Sequence, residues 1–360
     1  MPVDITKSKH ALAFIVFVVL LDAISFGIVL PVMPKLIMSL ADATLSEASR
    51  IGGYLMFTYA SVQFFAAPIL GNLGDKYGRR PILLYTLAAL GADFGGGFVL
   101  GPVIGGLLGE YGPRIPFYAA AGLALINLIY GYFMLGESLP KENRREFDIR
   151  RANPLGAVLQ LKKYPVILGL AFAYFLYMLG HLSLPSTWTY YTIEKFSWSE
   201  SQIGLSLGFA GVFMIIVQAG LIRWAIPKMG AYRAGILGMV AIIIGFCGYA
   251  FSAQGWQMYP WLAVAALLGF VSPAFQAIMT SQVPSNAQGE LQGALSSLNS
   301  LTSILGPLLM TQLFAAFTSE QSSIYFPGVS FFAAAVLSLV CLAIFVPVVR
   351  TYGLTTLGKK

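Results

Sequence analysis

Two carboxylates and one imidazole stand inside otherwise apolar stretches of this chain. Asp22 lies midway along the run from Ala11 to Val32, with no charged neighbour inside it. Asp93 lies in LGADFGGGFVLGPVIGGLLG, Leu90 to Gly109, where no other charge occurs between Pro81 and Glu110. A carboxylate in hydrocarbon costs at least ~2.5 kcal/mol, so such groups are rare and tend to handle protons, ions or substrates. Asp22 and Asp93 each read either as a protonatable or cation-pairing site or as a protonated structural acid bonded to a neighbouring backbone. His181, in MLGHLSLPSTW, is of the residue type that titrates nearest neutral pH; it reads as a proton carrier or as a hydrogen-bonded packing residue. Gln218, Gln276, Gln282, Gln292 and Asn299 supply neutral polar groups to later apolar runs, some to line a cavity and others to join helices.

A second set of residues has mechanical rather than chemical value. Gly97, Gly101, Gly105 and Gly109 recur every fourth residue, which gives a helix one smooth face for close backbone contact, and Pro102 stands beside them. In GNLGDKYGRRPILL, Gly71 to Leu84, the glycines Gly71, Gly74 and Gly78 allow a sharp turn between two helix ends. There Asp75, flanked by Lys76, Arg79 and Arg80, is able to accept charge-assisted hydrogen bonds and so latch one conformation. Glu290 falls at the start of a later apolar run, where it caps a helix.

These residues need membrane-spanning elements to position them. The 360 residues are 57% hydrophobic and only 10% charged, against about 25% in a soluble domain, so the chain reads as an all-α polytopic membrane protein. Runs of about 20 apolar residues occur ten times, at 11–33, 51–70, 81–109, 115–135, 164–186, 202–222, 231–252, 257–279, 289–315 and 325–349. The first run is too long for a signal peptide and lacks a small-x-small cleavage site, so it reads as a retained span. With both termini in the cytoplasm, eighteen Lys and Arg fall inside and four, Lys35, Arg50, Arg114 and Lys195, outside. That asymmetry fixes the orientation and accounts for the +7 net charge without nucleic acid. The charged stretch between Gly136 and Pro165 reads as a cytoplasmic linker, 136–163, between a four-helix bundle, 1–135, and a six-helix bundle, 164–360. Cys247 and Cys341 lie in apolar runs with no metal or redox spacing and read as packing residues. No nucleophile cluster, metal spacing or phosphate loop is present, so neither an enzyme nor a cofactor is expected.

The order G-x-L-x-D-x-x-G-R-R in the Gly71 loop resembles the signature loop of the major facilitator superfamily. LLDAISFGIVLPVMP, Leu20 to Pro34, GPVIGGLLGEYGPRIPFYAAAGL, Gly101 to Leu123, and PSTWTYYTIEKFSWSESQIGLSLGFAGV, Pro185 to Val212, resemble its tetracycline/proton antiporter branch. So does QGELQGALSSLNSLTSILGPLL, Gln288 to Leu309, and the resemblance covers nearly the whole chain. It implies a facilitator fold in a bacterial inner membrane and an antiporter that exports a small amphipathic drug against protons, with Asp22 and Asp93 matching functional aspartates.

The resemblance is broken at one place. In the family the stretch like GADF lies midway along the third helix and the stretch like GPVIGG in the outer half of the fifth, whereas here seven residues separate Asp93 from Gly101. About forty residues are missing at two span lengths, which leaves ten helices arranged four plus six, with 81–109 as two half-helices made into one. Met214 stands near the place of the family's eighth-helix histidine. AGILGMVAIIIGF, at the ninth, holds no ionisable group, and the fourth-helix arginine is gone with its helix. Two other readings therefore stay open: an internally deleted relative that inserts but does not transport, and a facilitator of a different small solute.

Overall fold

In the computed structural model, described residues run from 17 to 82 except 19, 22 and 26, then 97–134, 137, 139, 142, 144, 145, 165–284 and 287–354. They are predominantly helical, with no strand among them. The helices are α1 (Ala23–Val29), α2 (Met33–Ala41), α3 (Leu45–Tyr77), α4 (Gly97–Gly109) and α5 (Ile115–Met134). They continue with α6 (Pro165–His181), α7 (Ser183–Phe196), α8 (Glu200–Ile215), α9 (Ile222–Phe251), α10 (Met258–Ala265), α11 (Val271–Ser281), α12 (Gln288–Thr318) and α13 (Val329–Thr351).

Among the described residues, seven helical stretches are long and apolar enough to cross a membrane, or eight with α1 and α2 taken as one span bent by 52°. One of the seven, Glu200–Phe251, has 52 residues. At 1.5 Å per residue it would run about 78 Å, more than twice a hydrocarbon core. The chain breaks it at Gly230, whose φ of 81° and ψ of 158° suit glycine and strain any L side chain. The stretch is thus long enough for two crossings, and its first half also carries a π-helical turn at Ile216–Leu221. Of the run 81–109, residues 83–96 lie outside the described set, and α4 itself is only 13 residues long.

Contacts group the chain into two compact units. The first comprises Met1–Leu36, Ala66–Ala152 and Trp198–Gly211; the second comprises Ile37–Phe65, Asn153–Ser197 and Val212–Lys360. Residues 37–65 group with the later helices and residues 198–211 with the earlier ones. The cause is backbone proximity. Gly53 sits against the Thr311 side chain, and Ser46 Oγ donates to the Ala315 carbonyl at 2.9 Å. In the first unit, Gly106 and Gly204 let α4 and α8 meet backbone to backbone.

The second unit is cored by aromatic side chains. Trp188 and Tyr249 rings lie 5.2 Å apart, Tyr191 and Phe331 5.0 Å, and Phe246 and Phe331 6.4 Å. The Tyr191 hydroxyl donates to the Tyr249 carbonyl, which removes a polar group from an apolar interior. Most helix hydroxyls are spent in the same way, back on their own helix: Thr187 to Ser183, Thr192 to Trp188, Ser297 to Gly293, Thr318 to Phe314 and Ser338 to Ala334. In the apolar 18-residue windows of α6–α7, of the α10–α11 stretch and of α12 half or more of the residues are buried, against 17% in that of α3 and 11% in that of α5. The amino-terminal helices therefore leave much more apolar surface open.

Candidate functional site

Three constellations carry functional geometry, the first at the end of α3. Gly78, with φ of 105°, ends the helix, and a new helix begins at Arg79. Into that turn comes Glu137, from beyond α5. Its carboxylate accepts the backbone N–H of Arg79 at 2.9 Å, of Arg80 at 3.4 Å and of Leu139 at 3.0 Å, and faces Arg144 Nη2 at 3.7 Å. The Leu139 N–H, then those of Arg79 and Arg80 and the Arg144 charge, hold this carboxyl below its ordinary value despite some desolvation. A Cβ at Gly78 would collide with the carboxylate, so glycine is required for both space and dihedral. Arg80 Nη2 donates to the Tyr132 carbonyl at 3.0 Å and lies over the Tyr132 ring.

Asp75, in contrast, makes a half-exposed i,i+4 pair with Arg79 at 3.9 Å, a geometry of small energetic value. Its carbonyl accepts the Arg145 N–H at 3.0 Å. Asp75, Arg79, Leu139, Glu142, Arg144 and Arg145 line one polar cleft. Gly71 is exposed and meets no neighbouring atom at its Cβ position.

The second constellation is α4. A Cβ on Gly101 would come 2.7 Å from the Ile24 carbonyl oxygen and 2.8 Å from the Gly27 Cα; one on Gly105 would collide with the Ile28 carbonyl; and one on Gly109 would come 2.5 Å from Val32 Cγ1. This face lies on α1 and the turn before α2. Gly97 opens the helix. The opposite face, Val99, Pro102, Val103 and Gly106, meets Gly204, Gly208 and Gly211 of α8, a second small-residue row that is easily missed because its spacing of four then three is irregular. Where α2, α4 and α8 end together, Lys35 Nζ contacts Glu200 Oε1 at 2.5 Å, with the Glu200 side chain 7% exposed. Ser201 Oγ donates to Glu110 at 2.5 Å beside it.

The third lies in the second unit and joins two of the sequence candidates. The His181 ring stacks on Tyr177, centroids 6.0 Å apart and planes 14° apart, and Tyr177 lies 6.1 Å from Tyr174. Tyr174 Oη donates to Ser272 Oγ at 3.4 Å, and the Asn299 side chain reaches the same hydroxyl. Tyr177 Oη donates to the Leu268 carbonyl at 3.4 Å. His181 and Asn299 are thus linked through two tyrosines on α6, across α11 and α12. Such a surface offers aromatic faces, hydroxyls and an amide to an amphipathic molecule.

Gln218 falls in the π-helical turn, its side chain exposed and its Cγ near Gly269. Gln276 and Gln292 are exposed on α11 and α12, apart from the tyrosine chain. Gln282 donates to its neighbour Ser281, and Glu290 lies in the first turn of α12. Asp22 and Asp93 lie outside the described residues. Among the described residues no group of three or more His, Cys, Asp or Glu is placed to hold a metal ion.

Comparison with known proteins gives a consistent result. The model described as Major Facilitator Superfamily matches residues 86–307. A tetracycline resistance protein, class C, from Escherichia coli is 33% identical over 389 positions, which take in 93% of this chain and 96% of that protein. A class G tetracycline resistance protein from Vibrio anguillarum is 30% identical, covering 90% and 94%. Among solved structures, the human organic anion transporter MFSD10 superimposes with a TM-score of 0.64 at 19% identity, over 94% of this chain and 99% of its own. A bacterial homologue of the human lysosomal transporter Spinster gives 0.63 at 11%, over 98% and 99%.

Proposed function

Because the chain belongs to the major facilitator superfamily and has the fold of multi-pass membrane transporters, we propose that it is a transporter rather than an enzyme, namely a proton-coupled antiporter exporting a small amphipathic drug of the tetracycline type. The observation that carries this reading is the 33% identity, over nearly the full length of both chains, to a protein named for tetracycline resistance. The tyrosine chain from His181 to Asn299 supports it by offering a mixed aromatic and polar surface of the kind such a molecule needs. In this reading the protein lies in a bacterial inner membrane with both termini and the 136–163 linker in the cytoplasm. Asp22 and Asp93 carry the coupling proton, and the Gly71–Arg80 loop with Glu137 latches the cytoplasmic ends. Ten helices, four plus six, remain part of the proposal.

A second reading, a relative that inserts without transporting, is favoured by two observations. The class C alignment runs over 389 positions, more than the 360 residues of this chain, so gaps open within it. The amino-terminal helices α3 and α5 are also sparsely buried. Substrate-driven proton flux in proteoliposomes separates the readings. Flux with a tetracycline supports antiport, flux with another solute only supports a different cargo, and silence across a broad panel of lipophilic compounds supports the second reading.

A further inference from the structure

The segment between the π-helical turn and Gly230 has two faces of opposite character. Its inward face, Ile222, Ala225, Ile226 and Met229, packs with Val217, Ala234, Ala266 and Phe270 into one apolar cluster. The residues between them, Arg223, Trp224, Pro227 and Lys228, are all exposed, and the spacing of an α-helix places them together on the other side. Trp224 is 62% exposed, although a tryptophan gains most from burial. Lys228 Nζ sits 4.2 Å from the centre of its ring. Arg233 follows just beyond the Gly230 break, also exposed. Arg350, on α13, donates to the Tyr232 hydroxyl at 3.1 Å and so brings a fourth cation to this end of the unit.

Among the described residues these cations have no acidic partner. No Asp or Glu occurs between Glu200 and Glu290. Among the described residues neither Arg223, Lys228 nor Arg233 forms an ion pair. Positive charge without counter-charge attracts an anion from outside the protein. The nature of that anion follows from what adjoins it. Leu221, Ile216, Ile215 and Val212 continue along the same helix, 37–50% exposed, as an apolar strip. Cations on either side of an indole, followed along the helix by apolar side chains, match a headgroup at the interface above its acyl chains.

We propose that Arg223, Trp224 and Lys228, with Arg233 beyond the break, form a docking site for an anionic phospholipid. The phosphate of the headgroup lies between the Arg223 guanidinium and the Lys228 ammonium, the indole of Trp224 marks the interface, and the acyl chains lie along Val212 to Leu221. A free phosphate satisfies the charges but not the apolar strip, which is why the site is assigned to lipid.

The test is quenching of tryptophan fluorescence by brominated lipid, with full-length protein reconstituted in mixed phosphatidylglycerol and phosphatidylcholine vesicles. Brominated phosphatidylglycerol should quench the wild type more than brominated phosphatidylcholine, and Trp224→Phe should remove that excess. In the Arg223→Gln, Lys228→Gln, Arg233→Gln triple variant the preference for phosphatidylglycerol should fall, by up to about fivefold per charge. Should the triple variant fold poorly, the charge-preserving Arg223→Lys, Arg233→Lys pair should keep the preference, and ~0.5 M salt should weaken it in the wild type. Arg114→Gln should leave it unchanged. An unaltered preference in the triple variant overturns the site. So does inorganic phosphate that displaces phosphatidylglycerol as well as a soluble short-chain analogue of that lipid does, because the apolar strip would then contribute nothing.

Discussion

The Glu137 carboxylate accepts the backbone N–H of Arg79 at 2.9 Å, although 58 residues separate the two. The bond ties the segment after α5 to the turn after α3, and the N–H of Arg80 and the Arg144 guanidinium strengthen the tie. Glu137→Gln should loosen it. We expect faster amide hydrogen exchange at Arg79 and Arg80 and lower transport at unchanged membrane abundance. Equal exchange in variant and wild type would reduce Glu137 to a surface charge.

The same contact sets a pH dependence. The folded-state pKa of Glu137 lies below its ordinary value of 4.5, so the bound state favours the ionised form. The stabilisation is complete above that ordinary value and disappears as pH falls below it, through the lower folded value. Exchange at Arg79 and Arg80, corrected for its intrinsic pH dependence, should stay level from neutral pH down to about 4.5 and rise below it. A rise centred near neutral pH would point to a different group.

Backbone contact between α4 and α1 makes a contrast of two glycines informative. A Cβ at Gly105 would collide with the Ile28 backbone, whereas one at Gly122 of α5 meets nothing within 4 Å. Gly105→Ala should therefore destabilise by ~1–3 kcal/mol through overpacking. Gly122→Ala should stay within about 0.5 kcal/mol of the wild type, or improve helix formation slightly. Thermal unfolding in detergent reads both, and similar midpoints for the two variants would mean that α1 and α4 separate freely.

Parts of this arrangement are legible in the sequence and parts are not. The all-helical, apolar character of the spans shows because apolar runs have a length set by the bilayer, and the close approach of Gly101, Gly105 and Gly109 in α4 shows because their spacing of four matches one helical face. The break at Gly230 is only half legible, since Pro227 and Gly230 punctuate a run that helix propensity alone would continue. Glu137 is hidden, being one acid among several charges in a linker, with partners that are backbone N–H groups carrying no side-chain signature. Tyr174 and Tyr177 read as ordinary core residues in an apolar helix, because only the fold brings Ser272 and Asn299 to them. The pairing of Lys35 with Glu200 is equally silent, as the two lie in segments that nothing in the local pattern connects.

That pairing is asymmetric, and the asymmetry gives a prediction. The Glu200 side chain is 7% exposed and the Lys35 side chain 49%. Removing the lysine strands a buried carboxylate, whereas Glu200→Gln leaves a solvated lysine that still finds water. Lys35→Met should thus destabilise more than Glu200→Gln, by about 1–3 kcal/mol after allowing for the exposed half of the pair. The double variant should recover part of the loss in a thermodynamic cycle. Equal single effects with no coupling would mean that the contact contributes nothing.

The last prediction concerns the chain from His181 to Asn299. If the two tyrosines carry contact between them, His181 acts through Tyr177 and Asn299 through Tyr174, and the pairs should differ in what they lose. Asn299→Leu removes an amide from the Tyr174 hydroxyl while keeping similar volume, so it should weaken substrate binding, by about tenfold for a lost hydrogen bond of ~1.5 kcal/mol. Tyr174→Phe should give the same loss, and the double variant no more than either alone, because both remove one interaction. His181→Phe preserves the stacking on Tyr177 and removes the ring nitrogens. It should leave binding intact if His181 only packs, and should lower proton-driven flux without loss of binding if its nitrogens handle protons. Equilibrium binding of a fluorescent tetracycline, measured beside flux in the same vesicles, reads each outcome. Additive losses for Asn299→Leu and Tyr174→Phe would show that the two side chains act at separate places.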